Sequence, residues 1–126
     1  MKSKIYTIVP VLSTSDLERD IKWYYQYLGF KLNYLEEGYA VLNRDQHWIH
    51  LQFHYGDKED PIYGSVVKFF VHDIQETLLE MIDRGTITKD KLRRNTPWNT
   101  HEFGFFDHNK NALFFVQDIT STNSTS

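Results

Sequence analysis

The sequence contains no cysteine, which excludes disulfide bonds and thiolate metal sites. It has only three prolines and six glycines among 126 residues, so few positions interrupt regular structure. No apolar run is long enough to cross a membrane, and Pro10 breaks the N-terminal one before it reaches the length of a signal-peptide core. We therefore expect a cytoplasmic protein that has no membrane partner.

A strong excess of charge is also missing, because 14 basic and 17 acidic residues give a net charge of -3. Nonspecific nucleic-acid binding needs a basic face, so nucleic acid is not an expected partner. A hydrophobic fraction of 40% and a charged fraction of 25% are typical of one globular domain. Aromatic residues make up 16% of the chain, enough to fill a core and also line a binding surface.

A pattern repeats along the chain at an offset of 57 residues, the distance from Asp16 to Asp73. Segments 5–12 and 65–72 read as strands, and each precedes an aspartate suited to cap a helix. Ser15–Glu18 also fits a capping box. Apolar residues then recur at helical spacing before Gly29 and Gly85, namely Leu17, Ile21, Tyr24 and Leu28 in the first half and Ile74, Leu78 and Met81 in the second.

Strand-like segments follow both helices, at 30–37, 39–44, 47–55, 101–107 and 112–118, whereas 89–98 is irregular. The sequence therefore predicts an α+β fold of two paired β-α-β-β-β modules. We expect a single domain over 1–120, with module 1 at about 5–55, a linker at 56–64 and module 2 at about 65–118. Residues 119–126 are small and polar and are predicted to form a disordered tail.

Segment 47–55 alternates strictly between two kinds of side chain. Ile49, Leu51, Phe53 and Tyr55 share one face, which we expect to pack under a helix. The other face carries Trp48, His50, Gln52 and His54. A ring, two imidazoles and an amide are typical of a wet binding cleft, and the alternative is an ordinary solvent-facing surface.

Two stretches, "VPVLSTSDLERDIKWYYQYLGF" from Val9 and "PWNTHEFGFFDHNKNALFFV" from Pro97, carry a family resemblance. Together with the paired modules they resemble the vicinal oxygen chelate superfamily, which includes glyoxalase I, extradiol dioxygenases, fosfomycin resistance enzymes and bleomycin resistance proteins. The resemblance covers residues 5–118 and is strongest to the bleomycin resistance proteins. It implies a curved mixed sheet with a concave cleft.

In the enzymes of that superfamily the metal ligands come from the first and last strands of each module. The matching positions here are Val9, His50, Val66 and Phe114. Because only His50 has a donor atom for a metal, we expect no metal and no cofactor.

In the bleomycin resistance proteins two subunits form crevices at their interface, and the tryptophan of a Pro-Trp pair stacks on the drug. Trp98 matches that tryptophan, Tyr39 matches a crevice aromatic, and Pro10 matches the hinge of an exchanged N-terminal strand. The resemblance implies a metal-free homodimer that sequesters a flat, cationic antibiotic or metabolite. The predicted ligand-binding residues are Tyr39, Trp48, His50, Gln52, His54, Trp98, Glu102 and Phe114.

Several alternatives stay open. The chain is either a binding protein, a lyase-like or dioxygenase-like enzyme that uses His50 as a base or metal ligand, or a structural dimer with a vestigial crevice. Trp98 has a core alternative, in which Pro97 pins its ring over a helix end. Lys110 stands where the family has glycine, so a positive φ is expected there, with Asn109 or Asn111 relieving the strain.

Overall fold

The computed structural model describes residues 3–119 of the chain. The chain divides into two compact units, with the boundary between Tyr63 and Gly64, and these units are module 1 and module 2 below. Neither helix within 3–119 is long and apolar enough to cross a membrane. The predicted tail lies outside the described residues, apart from Ile119.

Module 1 has the predicted order of one strand, one helix and three strands. Its elements are β1 (Val11–Thr14), α1 (Leu17–Leu28), β2 (Lys31–Glu36), β3 (Tyr39–Arg44) and β4 (His47–Phe53). The sheet order is β1-β4-β3-β2, in which β1 runs parallel to β4 and the other neighbours are antiparallel.

Helix α1 begins one residue later than a capping box at Ser15 would require. Asp16 is the cap, and its carboxylate accepts the backbone N–H of Arg19 at 3.1 Å. Gly29 ends the helix in the left-handed conformation, with φ 75°. Both cap residues lie where the repeat predicts them, but the capping box was wrong. The buried core of module 1 is made of Leu12, Tyr24, Leu28, Phe30, Ala40, Leu42, Ile49 and Leu51.

The predicted first strand is much shorter than expected. Residues 3–10 have no regular structure, and Ile5, Tyr6 and Ile8 are 80%, 97% and 82% exposed. Pro10 has no N–H to give to a ladder, and only its carbonyl is used, accepting the His50 N–H at 3.0 Å. Pairing therefore starts at Val11, and within 3–119 the segment before Pro10 has no strand beside it.

Module 2 contains β5 (Val66–Phe70), α2 (Ile74–Asp83), a short 3-10 helix (Lys89–Lys91), β6 (Thr100–Phe106) and β7 (Ala112–Asp118). The sheet order is β5-β7-β6, with β5 parallel to β7. Asp73 caps α2, as predicted. The predicted apolar face of α2 is confirmed as core, since its three residues are buried together with Phe103, Leu113, Phe115 and Val116.

Within residues 3–119, module 2 has no counterpart of β2, the first strand after the helix in module 1. A single bridge takes its place, in which Arg93 and Glu102 exchange backbone N–H···O bonds of 2.8 and 2.9 Å. Pairing stops there because Pro97 has no N–H and because Asn95 and Asn99 have φ of 54° and 64°. The strands consequently form two mixed sheets of four and three strands.

The turn between β6 and β7 is organised by one buried carboxylate. Asp107 accepts the backbone N–H of Asn109 at 2.8 Å, and from Asn111 it accepts the backbone N–H at 3.0 Å and the side-chain amide at 2.8 Å. Lys110 has φ 66°, which confirms the expected positive value. The expected relief by an asparagine was wrong, because both asparagines bond to Asp107 and Lys110 itself takes the left-handed conformation.

Candidate functional site

The face of the module 1 sheet opposite its core carries one group of predicted site residues. The alternation along β4 is confirmed, since Ile49 and Leu51 are buried while Trp48 and His50 are half-buried and Gln52 is exposed. Three of the predicted ligand residues therefore lie on one surface that is open to a small molecule.

The alternation does not continue past Phe53, where β4 ends. Tyr55 is 73% exposed, so its predicted place under the helix was wrong. His54 bonds through Nδ1 to Asp60 at 2.8 Å, and Asp60 also accepts the Tyr55 N–H at 2.9 Å. The His54 hydrogen bond, followed by the Tyr55 N–H, lowers the pKa of Asp60. His54 thus fastens a loop instead of extending the open face.

Tyr39 and His50 meet across β3 and β4. The Tyr39 hydroxyl lies 2.6 Å from His50 Nδ1, and the rings meet edge-on with centroids 5.3 Å apart. Either atom can be the donor, because the hydrogen follows the histidine tautomer. His50 Nε2 makes no hydrogen bond within residues 3–119, so it is available to a ligand.

In module 2 the face opposite the buried Phe103 and Phe115 carries a second group. Strand pairing puts Lys68, Phe114 and Gly104 side by side on this face. The Phe114 ring lies directly on Gly104, where a Cβ would stand 2.4 Å from ring atom Cδ2. A larger residue at 104 would therefore displace Phe114, which was predicted to bind ligand.

The turn of residues 96–99, called the Trp98 turn, carries the predicted tryptophan. The Asn99 N–H bonds to the Thr96 carbonyl at 3.0 Å, with Pro97 and Trp98 between them. Thr96 is buried, and its hydroxyl accepts the Thr100 N–H at 3.0 Å. Trp98 itself is 51% exposed, which contradicts the core alternative for its ring.

Two contacts fix the orientation of the Trp98 ring. Its Nε1–H donates to Glu102 Oε1 at 3.0 Å, and the Arg93 guanidinium lies over the ring at 5.2 Å from the centroid. A half-exposed indole held in one orientation is a ready stacking surface for a flat molecule.

Glu102, which accepts the hydrogen bond from the Trp98 ring, is buried, with 3% exposure. Its Oε1 also accepts the Thr100 hydroxyl at 2.7 Å. Burial alone would raise its pKa, but the Trp98 and Thr100 hydrogen bonds and the charges of Lys68 and Arg93 outweigh burial and lower the pKa. Glu102 is therefore ionised at neutral pH.

The second oxygen of Glu102, Oε2, makes no hydrogen bond within residues 3–119. No buried side-chain polar atom in that range lacks a partner, so Oε2 must reach the surface. One oxygen of the carboxylate therefore accepts two hydrogen bonds, and the other keeps a small exposed area.

Thr96 and Thr100 were missed by the sequence reasoning. Thr100 had a readable signal, because it stands two residues before Glu102 on one strand and so shares its face. Thr96 had a weaker signal, a threonine directly before a Pro-Trp turn. No sequence signal indicated that Lys68 lies near Glu102, because this depends on the register of β5 against β7.

The positions that match the family's metal ligands do not form a donor set. Val11, not Val9, pairs with His50, and Lys68, not Val66, pairs with Phe114. Across residues 3–119 no group of three or more histidine, aspartate or glutamate side chains is arranged to hold a metal.

Comparison with known proteins places the chain in a family. The profile of the Glyoxalase/Bleomycin resistance protein/Dioxygenase superfamily matches residues 7–115. A bleomycin resistance protein of Geobacillus stearothermophilus is 24% identical over 128 residues, which cover 90% of this chain and 97% of that protein.

Solved structures show the same fold. A bleomycin resistance determinant encoded on the transposon Tn5 matches with a TM-score of 0.73 and 16% identity over 90% of this chain and 98% of that one. A bleomycin-binding protein complexed with bleomycin matches with a TM-score of 0.72 and 18% identity over 90% and 99% of the two chains. With a family profile that spans most of its length, the chain belongs to the glyoxalase/bleomycin resistance protein/dioxygenase superfamily.

Proposed function

We propose that this protein binds a small molecule with a flat ring system and sequesters it without chemical change. The observation that carries this proposal is the Trp98 ring, which is 51% exposed and yet oriented by Glu102 and Arg93. Stacking on such a ring contributes about 0.5–2 kcal/mol beyond simple burial.

The relatives suggest the first ligands to try. One is named a bleomycin resistance protein and another was solved with bleomycin bound, so bleomycin-type antibiotics are the first candidates, followed by flat metabolites. The resemblance further suggests a positively charged ligand, a crevice between two copies of the chain as the place of binding, and the cytoplasm as the compartment.

Seven of the eight predicted ligand residues stay in the proposal. Trp98, Glu102 and Phe114 belong to module 2. Tyr39, Trp48, His50 and Gln52 belong to the open face of the module 1 sheet. His54 is left out, because its bond to Asp60 already uses Nδ1 to fasten the loop. The proposal includes no metal, since the residues paired with His50 and Phe114 are Val11 and Lys68, and neither pair forms a set of metal ligands.

We further propose that the protein forms a two-fold homodimer in which the N-terminal arm, residues 3–10, lies on the second copy. Ile5, Tyr6 and Ile8 are three strongly exposed apolar side chains within four residues, as is typical of an interaction surface, and Pro10 marks where the arm departs. Ile8→Asp should then shift the mass in sedimentation equilibrium towards a monomer, while Leu79→Asp on α2, an exposed control, should not. A wild-type mass that stays monomeric at every concentration would contradict the dimer.

A second function, an enzyme with His50 as general base, is favoured by one contact. The 2.6 Å bond lets His50 donate Nδ1–H to Tyr39, which leaves Nε2 able to accept a proton. Under this alternative the protein converts a bound ligand over time and His50→Gln abolishes the conversion. Under sequestration, mass spectrometry recovers the ligand unchanged from both proteins.

A thermal-shift screen tests the leading proposal, because a ligand that binds the native state raises the melting temperature. The panel contains bleomycin-type antibiotics and flat metabolites, and the proteins are wild type, Trp98→Phe and Trp23→Phe, a control on α1 whose ring packs against Tyr24 and Tyr27 and is not among the predicted ligand residues. At least one compound should raise the melting temperature of wild type and Trp23→Phe, and raise it less in Trp98→Phe. Equal rises in all three proteins, or no rise with any compound, would refute the proposal.

A further inference from the structure

We infer that Arg93 sets the charge preference of the Trp98 surface, so that the ligand carries an acidic group beside its flat ring. This inference rests on the proposed function, and it replaces the positively charged ligand that the resemblance suggests with a negatively charged one.

The first reason is that Trp98 already has a cation on one face. The Arg93 guanidinium lies 5.2 Å from the centre of the indole, within the range of a cation–π contact. Its backbone is held by two hydrogen bonds to Glu102, of 2.8 and 2.9 Å, so this cation is tethered to the site. A ligand cation would have to compete with it for the same ring.

The second reason is the local balance of charge. Glu102 supplies one negative charge, while Lys68 and Arg93, which both act on it, supply two positive charges. The net charge of these three side chains is +1, in a chain whose total is -3. The surroundings of Trp98 are therefore positive although the protein as a whole is negative.

The third reason is that the cations have unused donors. The Arg93 side chain makes no hydrogen bond or ion pair within residues 3–119, and neither does the Lys68 ammonium. A guanidinium presents five N–H donors in a plane and binds a carboxylate through two parallel bonds. A flat ring with an acidic substituent therefore matches two groups here, the indole and a guanidinium whose N–H donors are unused.

Three probes with the same ring and different charge test the inference: naphthoate, naphthamide and naphthylmethylammonium. Each is titrated into the full-length protein while the indole N–H signal of Trp98 is followed by NMR, with the signal assigned from Trp98→Phe. Naphthoate should bind about fivefold more tightly than the ammonium probe, the size expected for one exposed ion pair and one exposed cation–π contact. Naphthamide should lie between them.

The matched variants are Arg93→Gln and Arg94→Gln, which remove the same charge from neighbouring positions. Arg94 donates to Gln75 of α2 at 2.8 Å, whereas the cation over the indole is Arg93. The preference for naphthoate should vanish or reverse in Arg93→Gln and persist in Arg94→Gln. The backbone bridge to Glu102 does not depend on either side chain, so both variants should keep the fold.

The outcomes separate the two claims. If the probes move the Trp98 signal but the ammonium probe binds as tightly as naphthoate, or if Arg93→Gln leaves the preference intact, the inference is overturned and the binding function stands. If no probe moves the Trp98 signal, Trp98 is not a stacking surface and the proposed function fails together with the inference.

Discussion

The two modules share one plan, and they differ most where the second is incomplete. Module 1 follows its helix with β2, Lys31–Glu36, and turns at Gly38 into β3. Module 2 keeps only the Arg93–Glu102 bridge at that place and turns at residues 96–99 into β6. Where module 1 has β2, module 2 has an irregular segment that places Trp98 and Arg93 beside Glu102. The surface that we propose for ligand binding therefore lies where the repeat is broken.

One buried carboxylate from each module, Asp20 and Glu102, shows a related difference between the modules. Asp20 in module 1 accepts the Thr14 hydroxyl and pairs with Arg19 at 2.9 Å, so it ties β1 to the first turn of α1. Glu102 in module 2 uses Oε1 to orient an exposed ring and leaves Oε2 accessible. The first carboxylate supports the fold, whereas the second supports a surface.

The largest expected effect is on stability, and it distinguishes the β6–β7 turn of module 2 from the β3–β4 turn of module 1. Asp107→Asn should lower the free energy of unfolding by about 1–3 kcal/mol, because an amide at 107 would face the donating amide of Asn111. Asn111 cannot turn over without losing its bond to the Ser65 N–H. Asp45→Asn, in the exposed turn of module 1, should change it by less than about 0.5 kcal/mol. Urea denaturation measures both, and equal losses would remove this contrast between the modules.

A smaller effect concerns acid stability. The pKa of Glu102 in the folded protein lies below the ordinary glutamate value of 4.5, so its stabilisation is complete above 4.5 and is lost as pH falls through the folded pKa. Glu102→Gln should therefore lose less stability on acidification than wild type. Asp60 also has a lowered pKa, but its side chain is 39% exposed, much more than Glu102. Asp60→Asn should therefore reduce the loss of stability on acidification less than Glu102→Gln does. Urea unfolding midpoints of wild type and both variants, measured from neutral pH to below 4.5, test this ranking. A larger effect of Asp60→Asn than of Glu102→Gln would contradict it.

The smallest effect is expected on ligand affinity, for a substitution in module 1, which has all three strands after its helix. Tyr39→Phe keeps the ring and removes the bond to His50, so ligand affinity should fall by less than about threefold. Calorimetric titration with the best compound of the thermal-shift screen gives the number. A loss of tenfold or more would move the centre of binding from the Trp98 turn to the open face of module 1.

Local patterns predicted much of the fold. The bounds of β3 and β7 match the predicted segments, and both N-caps, Gly29 and the buried face of α2 agree with the repeat. On α1 only Tyr24 and Leu28 of the four predicted positions are fully buried. The C-cap of α2 is Arg84, one residue before the predicted Gly85. The strand before Pro10 and the third strand of module 2 were predicted wrongly. Their formation depends on a neighbouring strand, which propensity does not reveal.

The candidate site was predicted in pieces. Trp98 and Glu102 were singled out separately, but the bond between them depends on the turn at 96–99. Tyr39 and His50 were also named, and their contact depends on the β3–β4 register. His54 was assigned by alternation, which stops where β4 ends. Distances across strands and around turns are what the sequence alone could not supply.

The central claim is that Trp98 serves a ligand and not the core, and melting curves of wild type and Trp98→Ala, with and without ligand, test it most directly. The unliganded variant should melt within a few degrees of wild type, because the ring is 51% exposed. Its affinity should fall at least about tenfold, or about 1.4 kcal/mol. Truncation of a core tryptophan costs roughly 3–5 kcal/mol. An unliganded Trp98→Ala that melts many degrees lower, or one that keeps the full ligand-induced shift, would contradict the account.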